Sequence, residues 1–164
     1  MSIAIVPGSY DPITVGHLDL IKRALALCDE VVVAVMNNDQ KTYMFTMEER
    51  THLAMLATAD IPCVRVVADA GMLVDLFDRL GADMIIKGVR NEMDRRYEEE
   101  MAAYNLAHNP RAKTVLLEAS EALEGISSTL TRKKLEARED PAELLPPTVV
   151  KWIEENKSDS KRRA

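Results

Sequence analysis

Three features of the sequence predict an α/β domain of the doubly wound kind, with a mainly parallel five-stranded sheet. Short β-branched runs alternate with segments of helical spacing five times along the chain. One run, Glu30 to Met36, is apolar on both faces, as a strand covered by helices on both sides must be. Polar clusters follow the runs, at the sheet edge where open α/β sheets bind ligands.

The elements follow in order. Ile3-Ala4-Ile5-Val6 predicts the first strand, and Pro7 to Gly16 a loop punctuated by Gly and Pro. Leu18, Ile21, Leu25 and Cys28 are spaced as one face of a helix, with His17 in its first turn. Glu30 to Met36 predicts a second strand, so the opening reads as a βαβ unit with a right-handed crossover. Asn37 to Thr42 is a polar loop, and Thr46-Met47-Glu48-Glu49 is a capping box opening a second helix. Cys63 to Val67 predicts a third strand. The next helix carries Leu73, Leu76, Phe77 and Leu80 and is closed by Gly81. Met84-Ile85-Ile86 predicts a fourth strand ending at Lys87-Gly88-Val89-Arg90. Asn91 to Asn109 has only weak helical spacing, and Lys113 to Leu117 predicts a fifth strand. A helix is expected from Gly125 to about Arg138, and a last one from Pro146 and Pro147. Residues 1–156 therefore read as one domain, and 157–164 as a charged, disordered tail.

Composition narrows the class. With 164 residues the chain can bury one sizeable core, and only 4% of residues are aromatic, so Leu, Val, Ile, Ala and nine Met must build it. No apolar run approaches the length of a membrane span, and the first strand begins too early for a signal peptide. The net charge of −6 argues against a nucleic-acid partner. Cys28 and Cys63 lack C-x-x-C spacing, and His17, His52 and His108 are scattered, so no metal site is expected. Both cysteines read as reduced core residues of a cytoplasmic protein.

Four polar clusters fall after predicted strands: Ser9 to His17, Asn37 to Lys41, Lys87 to Arg90 with Glu98 downstream, and Leu123 to Thr129. In a parallel sheet they converge on one crevice. Strand, Gly-containing turn and helix N-terminus present backbone N–H groups and a positive dipole to an anion. His and Lys add donors for phosphoryl oxygens, and hydroxyls stand at a helix start. The combination suits a nucleoside triphosphate, and the lack of a P-loop lysine motif excludes a Walker-type site.

Pro7-Gly8-Ser9-Tyr10-Asp11-Pro12-Ile13-Thr14-Val15-Gly16-His17 resembles the T/H-x-G-H motif of nucleotidyltransferases. Met44-Phe45-Thr46-x-Glu48-Glu49-Arg50, Lys87-Gly88-x-Arg90, Tyr97-Glu98 and Ile126-Ser127-Ser128-Thr129 are similar, in order, to bacterial phosphopantetheine adenylyltransferases. The likeness runs from Ile3 to about Trp152. It implies a Rossmann-like nucleotidyltransferase fold and transfer of AMP from ATP to 4′-phosphopantetheine, giving dephospho-coenzyme A and pyrophosphate, with Mg²⁺ accompanying ATP. It further implies a homohexamer and feedback inhibition by coenzyme A. Carried over by resemblance, ATP would be held by Ser9, Tyr10, His17, Gly88, Val89, Arg90, Glu98 and the run Leu123, Glu124, Gly125, Ile126, Ser127, Ser128, Thr129. Ser9, Lys41, Leu73 and Lys87 would hold phosphopantetheine, with Tyr97 and Asn105 lining its pocket. His17, Lys41 and Lys87 would be the catalytic set. The chain departs from the pattern at Lys87, where many relatives carry Arg, at Arg96 before the tyrosine, and in the non-aromatic stretch Leu123-Glu124-Gly125.

Two other readings compete. Another adenylyl- or cytidylyltransferase on this scaffold would use nicotinamide mononucleotide or glycerol 3-phosphate. The run from Ile126 to Arg132 fits the nicotinamide mononucleotide enzymes, whereas Pro7-Gly8 and Thr14 do not. A non-catalytic nucleotide-binding module would have no use for His17 together with Lys41 and Lys87.

Overall fold

The computed structural model describes residues 1–38 and 40–156, so Asp39 and the expected tail at 157–164 lie outside the described residues. Strands β1 (Ile3–Gly8), β2 (Glu30–Met36), β3 (Val64–Asp69), β4 (Met84–Val89) and β5 (Thr114–Glu118) form one sheet, ordered β3-β2-β1-β4-β5. Every pairing is parallel. The expected doubly wound α/β fold is therefore present, with its strand order now fixed. That order reverses between β1 and β4, which opens a crevice beyond their carboxyl ends.

Helices α1 (Val15–Ala24), α2 (Met47–Thr58), α3 (Leu73–Leu80), α4 (Glu92–His108), α5 (Ser128–Glu136) and α6 (Pro147–Glu155) cover the sheet. Alternate strand residues face opposite cores. Ala4, Val6, Val31, Val33 and Val35 pack with Ile21 of α1, Leu53 of α2 and Ile153 of α6. Ile5, Ala34 and Ile85 pack with Val74 and Phe77 of α3. Burial on both faces explains why these strands read as continuous apolar runs.

Local chemistry sets the helix ends. In α2 the capping box forms, with Glu49 N–H donating to Thr46 Oγ1 and Thr46 N–H to Glu49 Oε1. Gly81 closes α3 at φ 63°, a left-handed conformation that glycine adopts without strain. Pro147 sits at the start of α6, where its missing N–H costs no helical bond.

Several expected boundaries move. β1 runs on to Gly8 and β4 to Val89, so Lys87, Gly88 and Val89 lie within a strand rather than after it. Pairing of Lys87, Gly88 and Val89 with Leu116, Leu117 and Glu118 of β5 holds them extended. Gly88 also lets α1 approach closely, since a Cβ there would lie 3.2 Å from Leu20 Cδ2. Helix α1 ends at Ala24, short of Leu25 and Cys28. Cys63 precedes β3, takes φ 64° and is exposed rather than part of the core, because it lies in the turn before the strand. The segment from Gly125 becomes helical only at Ser128, with Ser127 as its cap, after a short 3₁₀ turn over Glu121–Leu123. The weakly periodic 91–109 stretch is a helix of 17 residues capped by Asn91. Its faint signal has a cause: of its residues only Asn105 is buried.

Candidate active site

The first wall of the crevice is the turn from β1 into α1. Tyr10 takes φ 49°, and its buried hydroxyl donates to Val6 O at 2.7 Å. Its ring lies 4.8 Å from that of His17. Burial pushes the Tyr10 phenol well above its usual range, so it stays protonated. Thr14 caps α1, and His17 takes the place that Glu or Gln fills in an ordinary capping box. His17 N–H donates to Thr14 Oγ1 at 3.3 Å, and Thr14 N–H donates to His17 Nδ1 at 2.9 Å. A backbone N–H can only donate, so Nδ1 is unprotonated and the neutral ring carries its hydrogen on Nε2. Burial lowers the imidazole pKa to about 4, aided by the nearby Lys87 and Arg90 charges. At neutral pH His17 is therefore an uncharged donor held at a helix N-terminus.

Asp11 supports that wall from below the surface. At 1% exposure its carboxylate accepts N–H bonds from Met44 and Phe45, both at 2.9 Å. Arg132 of α5 donates to Asp11 O at 2.9 Å and to Thr129 Oγ1 at 3.2 Å. Ser128 Oγ donates to Pro12 O at 2.9 Å, and Ser127 Oγ accepts Leu130 N–H at 3.0 Å. The hydroxyl run thus joins α5 to the opening loop as well as capping its own helix.

The second wall runs from β4 into α4 and is built from ion pairs. Lys87 Nζ lies 3.5 Å from Glu98 Oε1, and Arg90 Nε lies 3.1 Å from Asp94 Oδ2. Desolvation raises the Glu98 pKa, opposed by the Lys87 charge. A third edge is fixed by Ser120 Oγ donating to Asp19 Oδ2 at 2.9 Å and by Arg23 Nη1 donating to Glu118 O at 2.6 Å.

All four polar clusters open onto one cleft of about 650 Å³. Its lining takes Ser9, Tyr10 and His17 from the first, Lys41 from the second, and Lys87, Gly88, Val89, Arg90 and Glu98 from the third. The fourth contributes Leu123, Ile126, Ser127, Ser128 and Thr129. Five of the residues carried over by resemblance are not among the lining. Glu124 and Gly125 are exposed beside it. Leu73 packs with the Phe77 core, Tyr97 is 54% exposed on α4, and Asn105 is buried further along that helix.

Sequence reasoning missed Asp11 and Arg50 as parts of the site. Both are 1% exposed, and Arg50 Nη1 donates to Ser9 O at 2.8 Å. The available signal was a pair of ionic residues inside two otherwise telling motifs, where burial demands partners.

The chain matches the cytidylyltransferase-like family over residues 5–134. It is 40% identical over 149 residues to the phosphopantetheine adenylyltransferase of Limosilactobacillus reuteri (strain DSM 20016), covering 91% of this chain and 86% of that protein. It is 42% identical over 133 residues to that of Rhizorhabdus wittichii, covering 81% of each. With that of Chloroflexus aggregans it shares 39% identity over 155 residues, 94% of this chain and 96% of its relative. Matches of this extent, on a cleft with this lining, place the chain in the phosphopantetheine adenylyltransferase family of nucleotidyltransferases.

Proposed function

We propose that this enzyme transfers the adenylyl group of ATP to the phosphate of 4′-phosphopantetheine, a step of coenzyme A biosynthesis. The observation that carries the reading is the neutral His17, with Nδ1 spent on Thr14 N–H and Nε2–H left for a ligand, in one cleft with Lys41, Lys87 and Arg90. An acceptor phosphate oxygen attacks the α-phosphorus, and a P–O bond forms. The bond to the β-phosphate oxygen breaks, and its electron pair leaves on pyrophosphate. The acceptor is already an anionic nucleophile, so no activated Ser or Cys is required. The work left to the protein is positioning and charge stabilisation. His17 Nε2–H donates to an α-phosphate oxygen as charge builds there, beside the N–H groups of the α1 terminus. Lys41 and Lys87 offset the acceptor charge so that two anions can meet, and Arg90 with Ser127 to Thr129 holds the nucleotide.

Mg²⁺ would enter with ATP, on the phosphates. Among the described residues no cluster of three or more acidic, His or Cys side chains could cage a metal. The carboxylates lining the cleft are also engaged: Asp11 by backbone N–H groups, Asp19 by Ser120, Asp94 by Arg90 and Glu98 by Lys87. No step above runs through the metal. ATP and free cysteines suit a cytoplasmic site of action, and no described helix is long and apolar enough to cross a membrane. Exposed Met93, Tyr97, Met101 and Tyr104 follow one stripe of α4, which supports self-assembly into the expected hexamer.

Pyrophosphate release tests the function. Turnover is expected with ATP and 4′-phosphopantetheine together and with neither alone. Turnover with nicotinamide mononucleotide, or with CTP and glycerol 3-phosphate, in place of 4′-phosphopantetheine would transfer the assignment to that rival. Binding of ATP without turnover on any acceptor would leave a nucleotide-binding module.

A further inference from the structure

Arg50 is a charged side chain with no direct part in the chemistry described, yet among the described residues it is the largest fully buried one. A guanidinium is tolerated in such a place only when its N–H groups find acceptors. Its acceptors come from separate segments. Nη1 donates to Ser9 O at 2.8 Å and to Met36 O at 3.2 Å, and Nε donates to Phe45 O at 3.2 Å. Nη2 donates to the side-chain oxygen of Asn37. The guanidinium carbon lies 4.1 Å from the centre of the Tyr43 ring. The Tyr43 hydroxyl in turn accepts Asn38 N–H and donates to Asn38 O at 3.2 Å. Asp11, whose carboxylate accepts Met44 and Phe45 N–H, supplies the nearby opposite charge.

These contacts share one geometric consequence. The loop that bears Lys41 leaves β2 at Met36 and enters α2 at Met47. Arg50 grips it on the way out through Met36 and Asn37, and on the way back through Tyr43 and Phe45. The same guanidinium grips the first wall through Ser9 O. We propose that Arg50 is a positioning residue: it sets Lys41, on one loop, at a fixed distance from the anion-binding turn on the other. Lys41 itself is exposed, and among the described residues its backbone N–H bonds within its own turn, to Asn38 O at 2.9 Å. The loop ends therefore fix where that turn, and Lys41 with it, stands relative to the first wall. A fork of N–H donors spanning three carbonyls is something guanidinium does and ammonium does not.

The inference rests on the acceptor role proposed for Lys41, and the test separates the two. Asn37 is exposed, so Asn37→Ala removes one of the acceptors without opening the core. The expected result is a KM for 4′-phosphopantetheine raised about fivefold, with the KM for ATP within about twofold. Amides 38 and 40–45 should exchange with deuterium faster, at an unchanged melting temperature. Asn37→Asp keeps an acceptor oxygen and should restore the acceptor KM. Arg50→Lys should give the same pattern, more strongly; if it fails to fold, the Asn37 pair decides. Equal shifts in both KM values, or unmoved exchange in the Asn37→Ala protein, would overturn the proposal. So would faster exchange with an unmoved acceptor KM. A wild-type enzyme that ignores 4′-phosphopantetheine would instead overturn the functional reading, while the exchange measurement still reports on the clamp.

Discussion

The two walls of the cleft are built by different means. The turn from β1 into α1 is closed by bonds to backbone atoms, and Tyr10, Asp11 and Thr14 are all at most 2% exposed. Its donors are N–H groups and a neutral imidazole, fixed before any ligand arrives. The wall from β4 into α4 presents Lys87 and Arg90, whose side chains are 28% and 38% exposed and lie against Glu98 and Asp94. There an incoming phosphate would have to take the place of a carboxylate. A preorganised neutral wall does its work where charge develops, whereas an exchangeable ionic wall selects and holds anions already charged. The first should therefore govern turnover and the second affinity.

The largest effect should come from breaking the first wall. His17→Ala is expected to keep the fold and to lower kcat by roughly 10²–10³-fold, the scale for one lost transition-state donor. A folded variant with near-normal turnover would show that the preorganised wall is not where charge develops.

Next in size is Lys87 of β4. Losing a charge-assisted bond to phosphate costs about 1.5–3 kcal/mol, or roughly ten- to a hundredfold or more in kcat/KM for the acceptor. Lys87→Ala should show that loss mainly in KM, and Lys87→Arg should be tolerated because the cation is retained. If both variants stay within about 0.5 kcal/mol of wild type, Lys87 is only a solvated charge at a strand end.

Glu98→Gln sharpens the contrast by removing the carboxylate that an incoming phosphate would have to displace. Partly exposed pairs are worth little, about 0.5 kcal/mol, so the acceptor KM should fall only about two- to threefold. A rise in that KM would mean that Glu98 aims Lys87 rather than competing for it. A rise in the ATP KM alone would assign Glu98 to the nucleotide.

The two walls were also unequally legible. Strands buried on both faces wrote themselves as β-branched runs, and the α2 cap followed from Thr46 and Glu49 three residues apart. The rim was legible because ligand crevices follow from topology. The extension of β4 through Gly88 was not, since it depends on the β5 ladder rather than on local propensity. Nor was the bonding of Asp11 to Met44 or of Arg50 to Ser9, each linking residues more than thirty positions apart. Leu73, Tyr97 and Asn105 entered by resemblance alone, and no spacing or charge pattern in this chain had pointed to them.

The smallest effect isolates the cap from the chemistry of His17. Gln is an ordinary partner in a capping box, so His17→Gln can accept Thr14 N–H through Oε1 while removing the titrating ring. In the native enzyme the imidazole pKa is about 4, against an ordinary value of 6.5. Between those limits the unfolded chain takes up a proton that the folded chain does not. The unfolded state binds more protons there, so wild-type stability must decline as pH falls from 6.5 toward 4, and this contribution is constant above 6.5. Every other charged group is common to both proteins, so its contribution cancels in the comparison. Denaturant unfolding of the pair across that range should show wild type losing ground to His17→Gln as the pH drops. A difference that stays level through the window would mean that His17 protonates as freely as an exposed histidine. The first wall would then carry a positive charge in mild acid, and the contrast with its ionic partner would vanish there.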